Sequence, residues 1–113
     1  MHELALMEEV RRLAEERVAV EGAHRIHRLH LRVGSMAGVD PQALAFAFEV
    51  VMQGGAAEGA TLRLEVVPTA CFCGQCGEAF TPSDVIFACP RCGTLSRRIL
   101  RGQELELASL EIS

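Results

Sequence analysis

The chain has 113 residues and a formal net charge of −4 at pH 7, and half of its residues are hydrophobic. A chain of this length predicts one domain, or one domain with a small insert, built around a modest core. Because the sequence contains five Phe but no Trp or Tyr, that core must be mainly aliphatic. The acidic balance argues against a protein that binds nucleic acid over its whole surface.

The first residues and the hydropathy of the chain predict a cytoplasmic protein without a membrane partner. Glu3, Glu8 and Glu9 stand where a signal peptide would carry basic residues. No apolar run approaches the ~20 residues that span a bilayer. In the cytoplasm we expect cysteines to be reduced, catalytic or bound to metal rather than paired in disulfides.

The first predicted element is an amphipathic helix from Glu3 to about Val20. Side chains at helical spacing give it a wide face for the core, formed by Leu6, Val10, Leu13 and Arg17 and broadened by Met7, Ala14 and Val18. Gly22 is the predicted stop of this helix.

Residues 24–34 predict a strand with one buried face, because apolar and polar residues alternate from Leu29 to Val33. The same stretch contains three histidines, which raises the alternative of a metal site formed by His24, His27 and His30. Their spacing suits one face of a helix, whereas on a strand the middle histidine points away from the other two. We therefore interpret all three as solvated strand residues.

A second helix is predicted after the glycine-punctuated loop "GSMAGVDP". Asp40 is its predicted N-cap and Pro41 its first helical residue. The helix is expected to run through Gln53 to Gly54, which is typical of a C-terminal glycine. Its predicted buried face consists of Leu44, Phe48 and Val51 or Met52.

Two further strands are predicted, one in "TLRLEVVPT" (residues 61–69) and one in "ELELASLEI" (residues 104–112). Apolar residues alternate with charged ones in both segments, and Pro68 ends the first. A helix is the competing interpretation of the final segment. We favour a strand there, because a third strand makes a better sheet for two helices to cover.

These elements predict an α+β fold, in which a small three-stranded sheet is packed with two helices. The cysteine-rich region lies between the second and third strands and predicts an inserted, zinc-ribbon-like domain. The predicted division assigns residues 1–69 plus 99–113 to the α+β domain and residues 70–98 to the insert.

The insert contains two C-x2-C pairs, Cys73 with Cys76 and Cys89 with Cys92, and a glycine follows each pair. A C-x2-C-G turn lets backbone N–H groups point at the thiolates, and glycine relieves the tight geometry after the second ligand. Two such knuckles supply four sulfurs in a tetrahedron, which suits Zn(II). Four thiolates leave no open position on the metal, so we expect a structural site and no hydrolytic chemistry.

Two alternatives accompany the zinc interpretation of the cysteines. Rubredoxin-type iron sites use similar knuckles, but they usually carry a denser aromatic shell than Phe72, Phe80 and Phe87 provide. Cys71 precedes Cys73 by two residues, a spacing that poorly suits two ligands of the same tetrahedral site. We interpret Cys71 as a free thiol near a strand end; the alternative is a replacement ligand that Cys71 provides if the site rearranges.

The order of the motifs resembles one known family. "MHEL" leads an amphipathic helix, "VGSMAGVDPQAL" joins the first strand to the second helix, and a double C-x2-C insert precedes the last strand. Together these motifs resemble the HypA/HybF family of nickel metallochaperones for NiFe hydrogenase maturation. The resemblance covers essentially the whole chain.

The resemblance implies a nickel site at the N-terminus, separate from the zinc. In that family Ni(II) is bound by the amine of Met1, the backbone amides of His2 and Glu3, and the imidazole of His2. Tetragonal nitrogen donors of this kind suit Ni(II). Glu3 and Asp40 are possible carboxylate neighbours, although the N-cap role alone explains Asp40. Some relatives carry a histidine near the knuckles, and residues 71–103 contain none.

The resemblance further implies a chaperone without enzymatic activity that binds nickel as transient cargo. Its expected partners are a HypB-type GTPase and the large-subunit precursor of NiFe hydrogenase, with no nucleic acid and no membrane. Either a monomer or a homodimer is compatible with the sequence. The alternative from another class is a zinc-ribbon module for nucleic acid or assembly, supported by the knuckles and by an arginine cluster, Arg91, Arg97, Arg98 and Arg101.

Overall fold

The computed structural model describes residues 3–82 and 86–113. Within them, the chain forms two helices and six strands in the order α1 (Glu3–Val20), β1 (Ile26–Gly34), α2 (Pro41–Val51), β2 (Thr61–Val67), β3 (Ala70–Cys73), β4 (Glu78–Phe80), β5 (Arg98–Arg101) and β6 (Leu105–Ile112). None of the helices in this part of the chain combines the length and the apolar character that a membrane span needs.

The main sheet has the order β2-β1-β6, with β1 in the centre. β1 and β2 are parallel and are joined through α2, because parallel neighbours need a crossover connection. β6 pairs antiparallel with β1, so the strand interpretation of the final segment is confirmed. Two helices and this sheet form the predicted α+β fold.

The core lies between the helices and one face of the main sheet. β1 contributes Leu29, Leu31 and Val33, which are opposed in register by leucines and a valine of β2 and by leucines of β6. The other face of the sheet carries charged pairs, including Arg32 with Glu106 at 2.7 Å. The alternation seen in the sequence therefore separates an aliphatic face from a solvated one.

Helix α1 begins and ends where the sequence predicts, and it buries a narrower part of the predicted face. Its buried side chains are Met7, Val10, Ala14 and Val18. The assignment of Leu13 and Arg17 to the core face is wrong, since Leu13 is 43 % exposed and Arg17 pairs with Glu21 on the surface. Both patterns have helical spacing, and only the position of the sheet selects between them. Gly22 ends the helix with φ 67°, as predicted.

Helix α2 confirms the predicted start and ends earlier than predicted. Asp40 is its N-cap, with the side chain accepting from the N–H of Gln42 and with proline in the first turn. The helix ends at Val51 rather than near Gly54, because the chain continues into successive turns from Met52 onwards. Leu44, Phe48 and Met52 are buried as expected.

Residues 70–101, here called the cysteine segment, form a second sheet with the order β4-β3-β5. This segment leaves the main sheet after β2 and returns to it before β6. The exact domain boundaries stay a prediction.

The end of β1 contacts the two chain segments that lead into and out of the cysteine segment. The N–H of Gly34 donates to the carbonyl of Glu104 at 2.6 Å, and the N–H of Met36 donates to that of Gly102 at 2.7 Å. A Cβ atom on Gly34 would overlap the Gly102 backbone. The hydroxyl groups of Ser35 and Thr69 also form a hydrogen bond. These contacts attach the cysteine segment to the central strand of the main sheet.

Candidate metal centres

The first knuckle starts at the end of β3 and turns back into β4. Cys73 is the last residue of β3, and the N–H of Cys76 donates to its Sγ over 3.4 Å. The N–H of Gly77 donates to the Cys73 carbonyl over 2.8 Å, which closes the turn. Gly77 has φ 71°, a left-handed conformation that favours glycine. The glycine after the second cysteine therefore has the predicted conformational role.

The second knuckle repeats this local geometry. The N–H of Gly93 donates to the carbonyl of Cys89 at 2.8 Å, and Gly93 has φ 74°. The N–H of Cys89 donates to the carbonyl of Thr94 at 2.9 Å, and this bond closes the base of the loop. The two turns thus share the same backbone hydrogen bond and a left-handed glycine after the second cysteine.

The two knuckles bring four sulfurs together. The Sγ atoms of Cys73, Cys76, Cys89 and Cys92 all lie within 4.8 Å of one another. Cys73 and Cys92 are separated by 3.6 Å between Sγ atoms, and Cys76 and Cys89 by 3.9 Å. Tetrahedral zinc with Zn–S bonds of about 2.3 Å requires sulfur–sulfur distances of about 3.8 Å. The four sulfurs are therefore spaced to hold a metal of this size and geometry.

The thiols of this cluster have unequal proton affinities when no metal is bound. Hydrogen bonds from Thr94 lower the pKa of Cys92 to about 6. The pKa of Cys76 is raised to about 12, first through its hydrogen bond with Cys92 and then through loss of hydration. Close thiols share protons, so one ionises early and its neighbour late. A bound dication would remove this difference, because metal binding requires all four thiolates.

Thr94 was missed by the sequence analysis. Its Oγ1 lies 3.2 Å from the Sγ of Cys92, and its carbonyl accepts from Cys89. Threonine two residues after the last cysteine could have served as a signal, since outer hydrogen bonds orient and tune metal ligands. Cys71, by contrast, is fully buried and stands outside the four-sulfur group, within β3.

Of the predicted nickel ligands, Glu3 is the one within the described residues. Met1 and His2 lie outside the described residues. Glu3 is the first residue of α1, and its Oε1 accepts a hydrogen bond from the backbone N–H of Asp40 at 3.3 Å. The structure thus brings together the two acidic residues that the sequence analysis named as neighbours of the nickel site.

The three histidines of β1 and the preceding loop do not converge, as the strand interpretation predicts. His27 Nε2 lies 2.6 Å from the Ser113 hydroxyl, and His30 Nε2 lies 2.9 Å from a Glu65 oxygen. The His30 contact lowers the pKa of Glu65, with Arg32 contributing further. The cysteine cluster is the one group of potential metal ligands of this kind in the described residues.

Comparison with known proteins places these features in one family. The sequence model of the family described as "Hydrogenase/urease nickel incorporation, metallochaperone, hypA" matches residues 1–112. The protein called hydrogenase maturation factor HypA in Picosynechococcus sp. is 46 % identical over 112 residues, which cover 99 % of both chains. Its namesake in Roseiflexus sp. is 44 % identical over 98 % of this chain and 91 % of its own.

Solved structures with the same architecture belong to proteins of this name. The solution structure of the nickel metallochaperone HypA from Helicobacter pylori superposes with a TM-score of 0.67 at 24 % identity, covering 99 % of this chain and 97 % of that one. A second solution structure, titled "HypA protein", gives a TM-score of 0.70 at 25 % identity, covering 100 % and 97 % of the two chains. The likeness extends over the helices, both sheets and the knuckles.

Proposed function

The chain belongs to the HypA family of hydrogenase and urease nickel-incorporation metallochaperones, and on that premise we propose that it carries Ni(II) at its N-terminus for hydrogenase maturation. The observation that carries the proposal is the contact between Glu3 and Asp40. It joins the starts of α1 and α2, and Glu3 directly follows the proposed ligand His2 in the sequence. The negative charges of Glu3 and Asp40 favour binding of a dication.

The proposed nickel ligands are nitrogen atoms of the first three residues. They are the Met1 amine, the His2 and Glu3 backbone amides and the His2 imidazole, in the tetragonal arrangement that Ni(II) accepts. Each ligand must lose or lack a proton, so acidification releases the cargo. A site built from one chain end can open without disturbing the fold, which suits transfer of nickel better than its storage.

The cysteine cluster is proposed as a structural Zn(II) site. Cys73, Cys76, Cys89 and Cys92 would supply a complete tetrahedral set of thiolates. Zinc bound there would cross-link the two knuckles. Polar groups contact the cluster: the Cys76 N–H donates to the Cys73 sulfur, and the Thr94 hydroxyl lies 3.2 Å from the Cys92 sulfur. With four thiolate ligands the metal has no position for a substrate, which supports a chaperone without catalytic activity.

We further propose that nickel passes to the NiFe hydrogenase large-subunit precursor together with a HypB-type GTPase, in the cytoplasm. Membership of a family named for nickel incorporation supports delivery to an enzyme precursor. In this proposal residues 1–69 plus 99–113 form the nickel-binding domain, and residues 70–98 form the zinc-binding domain. The second sheet, which β3, β4 and β5 form between β2 and β6 in the sequence, supports a separate zinc-binding unit.

Calorimetric titration of Ni(II) into the zinc-loaded, untagged chain tests the nickel site. His2→Ala and a variant with one additional N-terminal residue should both lose binding. His24→Ala is the matched control, because His24 is exposed and lies before β1, away from the start of α1. Unchanged nickel binding in both N-terminal variants would refute the proposed site, and loss of binding in His24→Ala would move it to β1.

A further inference from the structure

The arginines of this protein fall into two groups according to their partners. Several of them pair with carboxylates, for example Arg12 with Glu16 at 3.0 Å on α1 and Arg32 with Glu106 at 2.7 Å on the main sheet. In the cysteine segment, Arg91 pairs with Glu78 at 3.0 Å. Arg97 and Arg98 are exposed and have no carboxylate partner within the described ranges 3–82 and 86–113. Their positive charge is therefore available to another molecule.

Both arginines border one surface cavity. The cavity has a volume of about 380 Å³, and Phe72 and Leu95 line it together with Arg97 and Arg98. These four residues are called the arginine patch below. Leu95 is 63 % exposed and lies next to the half-buried Phe72 in the lining of the cavity. The patch thus combines two cations with an apolar surface.

The backbone holds the patch in a defined shape. The hydroxyl of Ser96 donates to the Phe72 carbonyl at 2.7 Å and accepts from the Arg98 N–H at 3.2 Å. The Arg98 guanidinium lies over the Phe72 ring, 5.7 Å from its centroid. This cation–π contact orients the guanidinium and leaves its N–H groups free to bind an anion. A preformed arrangement reduces the entropy lost on binding.

Charge is distributed unevenly along the chain. The cysteine segment contains four arginines and two acidic residues, whereas the remainder contains seven arginines and thirteen acidic residues. A zinc tetrathiolate would add two negative charges within the knuckles. The positive charge of the arginine patch is therefore local within a chain that is acidic overall. A ligand must match this small area, since a long polyanion would meet repulsion elsewhere on the protein.

We propose that the arginine patch binds a short acidic segment of a protein partner, in which carboxylates flank an apolar side chain. The carboxylates accept hydrogen bonds from Arg97 and Arg98, as guanidinium and carboxylate groups match in a bidentate manner. The apolar side chain covers Leu95 in the cavity. This surface lies in the cysteine segment and needs no nickel, so its test is independent of the proposed cargo site.

Fluorescence anisotropy of zinc-loaded, nickel-free protein tests the proposal. The probe is a short fluorescein-labelled peptide in which glutamates flank a central leucine. Arg97→Glu should weaken binding by about tenfold or more, because it replaces an attraction by a repulsion. Arg63→Glu is the matched control, since Arg63 is exposed on β2 and has no ion pair in the described part of the chain. Arg63→Glu should change the affinity for the peptide probe by no more than about twofold.

Zinc content verifies that each variant keeps its knuckles, and Leu95→Ser tests the apolar contact separately, with weaker binding expected. Replacing every glutamate of the probe by glutamine should abolish binding. No binding of the acidic probe, equal binding of the glutamine probe, or an equal loss in Arg63→Glu would overturn the proposal. Preferred binding of single-stranded oligothymidylate would assign the patch to nucleic acid instead. A dimer that Arg97→Glu dissociates would assign it to a second copy.

Discussion

The carboxylate of Glu3 accepts a hydrogen bond from the backbone N–H of Asp40, so the first residue of α1 contacts the residue that caps α2. The Asp40 side chain is itself occupied, because its Oδ1 accepts from the N–H of Gln42 at 2.9 Å. One acidic residue therefore joins the two helices and the other starts α2. The two roles can be separated by substitution.

Asp40→Ala should lower the free energy of unfolding by about 1 kcal/mol, since the N–H of Gln42 loses its acceptor. Asp40→Asn should retain nearly all of the stability, because asparagine caps helices as well as aspartate does. Urea denaturation followed by circular dichroism measures both. An equal loss in the two variants would mean that the charge of Asp40, and not its capping oxygen, stabilises the fold.

Cys73→Ser should abolish stoichiometric zinc binding and lower the melting temperature, since one ligand of four is replaced by a weaker one. Cys71→Ser is the matched control, because both residues are buried in β3 and only Cys73 belongs to the cluster. Zinc in the purified variants is measured by atomic absorption. Loss of zinc in Cys71→Ser would show that the fifth cysteine is a ligand.

Thr94→Val should raise the pH at which the protein releases zinc. The Thr94 hydrogen bonds lower the pKa of Cys92 to about 6, so the Cys92 thiolate persists to lower pH than an ordinary thiolate. Without the hydroxyl this pKa rises toward the usual range, and protons displace the metal earlier as the pH falls. A chromogenic chelator follows release across the acidic range.

Thr94→Ser keeps the hydroxyl and is the control for this variant. Its release curve should superimpose on that of the natural sequence. Coincident curves for Thr94→Val and Thr94→Ser would show that the hydroxyl has no influence on the thiolate.

Gly34→Ala should destabilise the protein by about 2 kcal/mol, because the added methyl group overlaps the Gly102 backbone. Gly74→Ala is the comparison, since no heavy atom outside its chain neighbours lies within 4 Å of a Cβ built there. Thermal unfolding compares the two variants. Equal melting temperatures would mean that the cysteine segment can shift away from β1 at no cost.

Local sequence signals predicted most of the elements and the sulfur cluster. Glu3 and Gly22 bracket α1, Asp40 and Pro41 start α2, and each C-x2-C-G turn determines its own geometry. These features depend on a few adjacent residues. The sulfur cluster then forms where the two turns meet, with all four Sγ atoms within 4.8 Å of one another.

Tertiary contacts explain what the sequence could not predict. Leu13 fits the helical period as well as its neighbours do, and only the position of the sheet leaves it at the surface. The contact of Gly34 with Gly102 joins residues far apart in the chain, and no local pattern indicates it. The proposed nickel ligands Met1 and His2 lie outside the described residues, so their assignment stays a prediction.

The pairing of β1 with β6 has a consequence for folding. Ile26 stands opposite Ile112, and the cysteine segment lies on the path that the chain must follow before β6 can dock. A metal that clips Cys73 to Cys92 shortens this path. The entropic cost of closing a loop becomes smaller as the loop becomes shorter, by about 0.6 kcal/mol for each halving of its length. Zinc therefore favours docking of β6 because it shortens the loop that docking must close, and it does so without contacting β6.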